Sequence, residues 1–314
     1  MSKIAFLFAG QGSQTPGMGQ DFYRNSDVFR QVMDSCGKLS DLDVCSLSFS
    51  GPAAKLNETA VAQPCLAAVE LGLVRMLSSA GIRPSVVAGL SLGEYAALTC
   101  AGAIREEDLV SIAARRGRLM QEALPAGTGS MMAVLSNRLE DIRLACQAAG
   151  KQNEICEIAN FNSPSQYVLS GTARGLSIAG KHLEESGIRR CLPLKVSGPF
   201  HSPLLKTASL ELDEILKEYP LQAPDIPVVF NTTACSETCR DGNRVRELLV
   251  RQLYSPVLFD QSLDTMLQAG VDTFIEIGPG HVLSRLVQKK NRDVRVFGLE
   301  TMEDYERIRK ELHV

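Results

Sequence analysis

Strand-length apolar runs alternate with helix-length amphipathic runs along this chain, and that alternation restricts its folds more than any other feature. Residues 4–9 read as a buried strand, 60–80 as a long helix ended by Gly81, and 86–90 as a second strand. Residues 92–100 read as a helix, and 105–124 as an amphipathic helix closed by Pro125. Strands joined through helices favour an α/β architecture with a mostly parallel sheet.

The rhythm changes over residues 128–196. Residues 130–135, 155–160, 167–170 and 189–196 are strand-like, while 139–149 and 173–186 are helical. The order β-α-β-β-α-β is the ferredoxin-like signature. Gly127 and Gly129 mark its entry, and Ser197-Gly198-Pro199 its exit. The expectation is a large α/β domain over 1–127 and 197–314, interrupted by a small ferredoxin-like domain over 128–196. A length of 314 residues suits two such units. Beyond the insertion, helices are expected near 204–218, 245–253, 263–269 and 282–289, and strands near 228–230, 274–277 and 294–298.

Composition excludes several classes. With 45% hydrophobic and 22% charged residues, the chain has enough apolar side chains for a packed core. A net charge of −3, 5% aromatics and no Trp argue against a nucleic-acid binder. No apolar run reaches the roughly 18 residues of a membrane span, and none resembles a signal peptide. A cytoplasmic protein with no membrane partner is expected. Nine scattered cysteines without a C-x-x-C pair suggest reduced packing residues, and no zinc site or other metal centre.

The sharpest local feature is Gly89-Leu90-Ser91-Leu92-Gly93, followed by Glu94-Tyr95. A G-x-S-x-G between a strand and a helix is the context of a nucleophile elbow. The glycines clear space for a sharp turn, Ser91 is exposed at the strand end, and the helix N-terminus favours negative charge beside it. The competing reading is a plain turn with the serine as helix N-cap.

A serine nucleophile needs a base, and the chain has four histidines. His182 sits on a charged helix face and His313 is penultimate. His281 lies in a turn, Gly278-Pro279-Gly280-His281. His201, between Pro199 and Pro203, follows a strand and precedes a helix, which makes it the leading base, with His281 second. No Asp stands out as a third member, and a carbonyl acceptor can orient an imidazole equally well.

Gly10-Gln11-Gly12-Ser13-Gln14 follows the first strand. Thr15 stands where a dinucleotide fingerprint needs its third glycine, and no Gly-Lys-Ser/Thr follows for a phosphate loop. A backbone N–H from Gln11 could instead serve an oxyanion at the carboxyl edge of the sheet. A simple tight turn is the other reading.

Taken together, these segments resemble the malonyl-CoA:acyl-carrier-protein transacylases. The resemblance also runs through Gln63-Pro64, Arg116-Gly117 ahead of Met120-Gln121, Asn160-Phe161-Asn162-Ser163-Pro164 and Phe200-His201-Ser202. It continues through Val250-Arg251-Gln252-Leu253-Tyr254 and Glu276-Ile277-Gly278-Pro279-Gly280. It implies a hydrolase-like α/β domain with an inserted ferredoxin-like one. It also implies a cofactor-free monomer whose partners are malonyl-CoA and acyl carrier protein, feeding fatty-acid chain elongation. Ser91 would carry malonyl as an ester and His201 would act as base and then acid. Backbone amides of Gln11 and Leu92 would form the oxyanion hole, and Arg116 would pair with the malonyl carboxylate. Gln252 would orient His201 through its main-chain carbonyl, and Gln63 and Asn162 would line the pocket. Phe200 resembles the malonyl-selecting form. Leu90 departs from the family, which usually has histidine there.

Arginine suits a planar carboxylate because it binds bidentately, and exchange between two thiols suits a ping-pong ester. Two further readings stay open: a discrete acyltransferase or acyl hydrolase of a polyketide assembly line, and a non-catalytic carrier-binding scaffold. An acidic carrier calls for a local basic surface. Arg189 with Arg190, or Arg285 with Lys289 and Lys290, are the candidates.

Overall fold

A computed structural model describes residues 2–39, 41–237, 239 and 241–313. Among them lie eight strands: β1 (Ile4–Phe8), β2 (Val86–Gly89), β3 (Gly129–Val134), β4 (Cys156–Ser163), β5 (Gln166–Thr172), β6 (Cys191–Pro193), β7 (Thr273–Ile277) and β8 (Arg295–Leu299).

The first sheet is parallel throughout, in the order β2-β1-β7-β8. The buried runs along β1, β2 and β7 are nearly unbroken, as expected for a sheet covered by helices on both faces. One face packs on the helix Thr59–Ser79, whose middle is buried all round. That helix is apolar and long enough to cross a membrane, yet 89% of its most apolar window is buried inside the protein. It serves as the central core helix.

The second sheet is antiparallel, in the order β4-β5-β3-β6. With the helices Leu139–Gly150 and Ala173–Glu185 it has the ferredoxin-like arrangement expected from the sequence. Its strands alternate sides. Val134, Leu169 and Ile158 meet the two helices, while Met131 and Val168 turn toward the larger body. This period of two gives the small sheet a packed back and a front free to wall a cavity.

Two expectations change, and one unassigned stretch proves helical. The run at 228–230 is no ladder-forming strand. It makes one parallel bridge, Val228 to Val87, with Val229 N–H donating to Val87 O at 2.9 Å. Pro227 lacks an N–H, and the chain folds back through a Val229–Ser236 bridge, so pairing stops there. The run at 189–196 shortens to β6. Residues 20–56 carry four helices that the apolar periodicity leaves unassigned: Gln20–Asn25, Asp27–Lys38, Val44–Ser50 and Ala53–Leu56.

Candidate active site

β2 ends at Gly89, and the chain turns into the helix Gly93–Cys100. The turn is sterically exclusive. A Cβ on Gly89 would lie 1.9 Å from the Gly93 carbonyl carbon, and one on Gly93 would lie 2.3 Å from Phe8 O. Ser91 between them has φ +54°, in the left-handed region. The N-cap position belongs to Leu92, so Ser91 is not the helix cap. Its side chain points at another residue.

That residue is His201, whose Nε2 lies 2.7 Å from Ser91 Oγ. His201 is also left-handed, φ +56°, between its flanking prolines. Its Nδ1 lies 2.8 Å from Gln252 O. A carbonyl only accepts, so Nδ1 carries the proton and Nε2 offers its lone pair to the serine. Burial, with the nearby Arg116 charge, pushes the His201 pKa down to about 4, against the carbonyl bonds that raise it. The imidazole is therefore neutral at neutral pH. The other histidines lie elsewhere: His281 pairs with Glu300 at 3.2 Å, His182 is on the helix Ala173–Glu185, and His313 ends the last helix.

Arg116 is fully buried. It reaches the serine because Gly117 lets its helix, Glu106–Glu122, press against Thr59; a Cβ there would sit 2.6 Å from Thr59 O. Its Nη2 donates to Ser91 Oγ at 3.2 Å and Gln252 Oε1 at 3.0 Å, and Nη1 donates to Gln63 Oε1 at 2.8 Å. The guanidinium stacks 4.9 Å from the Tyr95 ring centre. Its Nε has no partner among the described residues. Burial lowers its pKa, opposed by Tyr95 and Glu94.

A cavity of about 210 Å³ opens over Ser91, between the two sheets. Gln11, Leu90 and Phe200 line the larger body's side, and Met131, Asn162 and Val168 line the small sheet's side. Asn162 Oδ1 is buried without a partner among the described residues. The Gln11 and Leu92 backbone N–H groups donate to no other group among the described residues. Gln63 differs from expectation: it is fully buried behind the cavity wall, with Nε2 on Gln11 Oε1 at 3.2 Å, and ties Gln11 to Arg116. A side chain with both an acceptor and a donor suits that bridging place better than the pocket surface.

A model of the acyl transferase domain matches residues 5–308. The chain is 40% identical over 306 residues to the malonyl CoA-acyl carrier protein transacylase of Bacillus subtilis, covering 98% of this chain and 96% of that one. It belongs to the malonyl-CoA:acyl-carrier-protein transacylase family.

Solved members of the family superpose throughout. An acyl carrier protein S-malonyltransferase from Vibrio cholerae matches with a TM-score of 0.93 at 37% identity, over 98% of this chain and 100% of that one. A malonyl-transacylase solved in complex with its type II polyketide synthase acyl-carrier protein matches with a TM-score of 0.94 at 34% identity, over 99% and 100%.

Two residues of this transacylase-family site escaped the sequence reading. Asn231 takes the Ser91 N–H on Oδ1 at 2.8 Å and donates from Nδ2 to Gly89 O at 2.6 Å. Glu94, fully buried, accepts from Asn231 N at 2.5 Å and Gln252 Nε2 at 3.0 Å. Burial pushes the Glu94 carboxyl up to about 8, against those bonds and the Arg116 charge. The available signal for Asn231 was a polar residue directly after the apolar run 228–230. Of the basic candidates, Lys290 is occupied by Asp260 at 2.8 Å and Asp264 at 2.7 Å. Arg189, Arg190, Arg285 and Lys289 are exposed.

Proposed function

We propose that this protein transfers malonyl from malonyl-CoA to the phosphopantetheine thiol of acyl carrier protein through a malonyl-Ser91 ester. The supporting observation is a buried guanidinium touching the nucleophile: Arg116 Nη2 stands 3.2 Å from Ser91 Oγ. Among the described residues it has no carboxylate partner within ion-pair distance. A carboxylate that replaces the Oγ contact, while its acyl carbon is bonded to Oγ, must lie within a very short tether of that carbon. Malonyl, with one methylene between its two carbonyl carbons, meets that requirement.

The chemistry proceeds in two halves. His201 Nε2 takes the Ser91 proton as Oγ attacks the thioester carbon. The Gln11 and Leu92 N–H groups receive the developing oxyanion. The intermediate collapses, the C–S bond breaks, and His201 returns its proton to the departing CoA thiolate. The carrier thiol then gives its proton to His201 and attacks the ester carbon; Ser91 leaves and recovers that proton. Gln252 O holds the imidazole throughout, and Gln63 steadies Gln11 and Arg116. Asn162 faces the acyl group, while Phe200 and Leu90 provide apolar wall.

The same reading divides the chain at 128–196, places the protein in the cytoplasm as a monomer, and supplies fatty-acid elongation. The carrier docks on exposed arginines and lysines, with Arg189 and Arg190 or Arg285 and Lys289 as the docking pairs. The likeness to a transacylase solved with a polyketide carrier supports a second reading in which the carrier belongs to such an assembly line. One experiment tests both. The protein is incubated with malonyl-CoA and a panel of other acyl-CoAs, with and without carriers of each type, and its intact mass is read. A malonyl adduct that is lost in Ser91→Ala and discharged by carrier is expected. An adduct retained in Ser91→Ala would remove the serine, and discharge to water alone would make the protein a hydrolase.

A further inference from the structure

A serine held at φ +54° is in a conformation its side chain disfavours. The surrounding structure must hold it there. The two peptide groups flanking Ser91 show how.

We infer that Asn231 is a positioning residue that, with the Gln252 side chain, locks both peptides flanking Ser91 and so aims the nucleophile and the oxyanion donor together. The inference rests on reading Ser91 as nucleophile and the Leu92 N–H as part of the oxyanion hole.

The peptide ahead of Ser91 is pinned from both sides. Its N–H donates to Asn231 Oδ1 at 2.8 Å, and its carbonyl, Leu90 O, accepts from Gly93 N at 3.1 Å. The same Asn231 amide donates to Gly89 O at 2.6 Å, so one side chain spans the end of β2 and the turn. The peptide after Ser91 is pinned through its carbonyl, which accepts from Gln252 Nε2 at 2.9 Å and Glu94 N at 3.2 Å. In a trans peptide the C=O and N–H point in opposite directions. Holding Ser91 O against Gln252 therefore turns the Leu92 N–H away from Gln252.

Both clamps share an anchor. Glu94 accepts from Asn231 N at 2.5 Å and from Gln252 Nε2 at 3.0 Å. Asn231 O accepts from Leu258 N at 2.8 Å, and the residue is 1% exposed, so it has no room to swing. Tertiary pairing delivers it: the Val228–Val87 bridge runs parallel to β2, which brings position 231 alongside the elbow.

The site demands an amide. It needs one acceptor, for the Ser91 N–H, and one donor, for Gly89 O, from the same side chain. Neutral Asn supplies both, an ionised Asp supplies only acceptors, and a protonated Asp again supplies both. That requirement gives the test a readout that loss of packing would not produce.

The rate of Ser91 acylation by malonyl-CoA is measured by rapid quench and intact mass from about pH 5 to 9, with KM and Tm, for the native protein, Asn231→Ala and Asn231→Asp. Displacing one oxyanion donor costs about 10²–10³-fold. Asn231→Ala should therefore slow acylation by roughly 30- to 300-fold, with KM changed less than about three-fold. Asn231→Asp should approach the native rate at low pH and fall away as the new carboxyl ionises. The native profile should lack that step. Acylation in Asn231→Ala within about three-fold of native, a loss confined to KM, or an Asn231→Asp profile parallel to the native one would each overturn the inference. If Asn231→Ala does not fold, the shape-matched Asn231→Asp decides alone. Ser91→Ala is run beside them: a malonyl adduct surviving there would sink the nucleophile reading itself, whatever the Asn231 variants do.

Discussion

Replacing Arg116 by Gln removes the charge that the proposed substrate carboxylate needs. The magnitude follows from the site. The guanidinium is fully buried, so a carboxylate bound to it is desolvated as well. Each charge-assisted hydrogen bond is worth about 1.5–3 kcal/mol, and a fork-to-fork pair makes two. The expected loss of about 3–5 kcal/mol lowers kcat/KM for malonyl-CoA by roughly 10²- to 10⁴-fold. Acetyl-CoA has no carboxylate and should lose far less. The assay compares transfer of malonyl and acetyl from CoA to carrier, with the ratio of the two kcat/KM values as the readout. The ratio matters because Arg116 also donates to Ser91 Oγ, Gln63 and Gln252, so any general disturbance lowers both rates. Arg116→Lys should recover part of the malonyl rate, since it keeps the charge without the planar fork. If malonyl and acetyl transfer fall equally in Arg116→Gln, or malonyl transfer falls less than about ten-fold, the carboxylate role is wrong and Arg116 is scaffolding for the elbow.

Four further outcomes follow from the geometry and the surface charge. Burial holds His201 near 4, so the free-enzyme kcat/KM should stay level as pH falls through about 6.5 and drop only as it approaches about 4; an inflection near 6.5 would refute the burial argument. The same depression means that His201 protonates in the unfolded chain first, so its stability contribution is present above about 6.5 and is lost as pH falls toward 4, which acid titration of Tm reads. Gly93→Ala places a Cβ 2.3 Å from Phe8 O, and should cost at least about 2 kcal/mol and lower Tm by roughly 3 °C or more; an unchanged Tm would show that β1 yields there. Carrier affinity should weaken with salt, and charge reversal at either Arg189 and Arg190 or Arg285 and Lys289 should abolish that dependence; if neither pair changes it, docking uses another surface.

The sequence alone carried the parts that depend on short-range pattern. Apolar periodicity placed the parallel strands and the β-α-β-β-α-β insertion, because burial on two faces or one writes itself into neighbouring residues. The G-x-S-x-G turn marked Ser91, because only glycines fit where β1 and the elbow helix meet. Elimination among four histidines reached His201. Tertiary structure decided what no local pattern encodes. Asn231 lies 140 residues from Ser91 in the chain and meets it only because a single bridge lays residue 228 beside β2. Gln252 meets it from 161 residues away. Gln63 is set behind the cavity by the close helix crossing at Gly117. Hydrogen bonds between distant segments leave no periodicity, so Ser91 and His201 were legible in local pattern, Gln252 came only through the family resemblance, and Asn231 and the bonds of Glu94 were not legible at all.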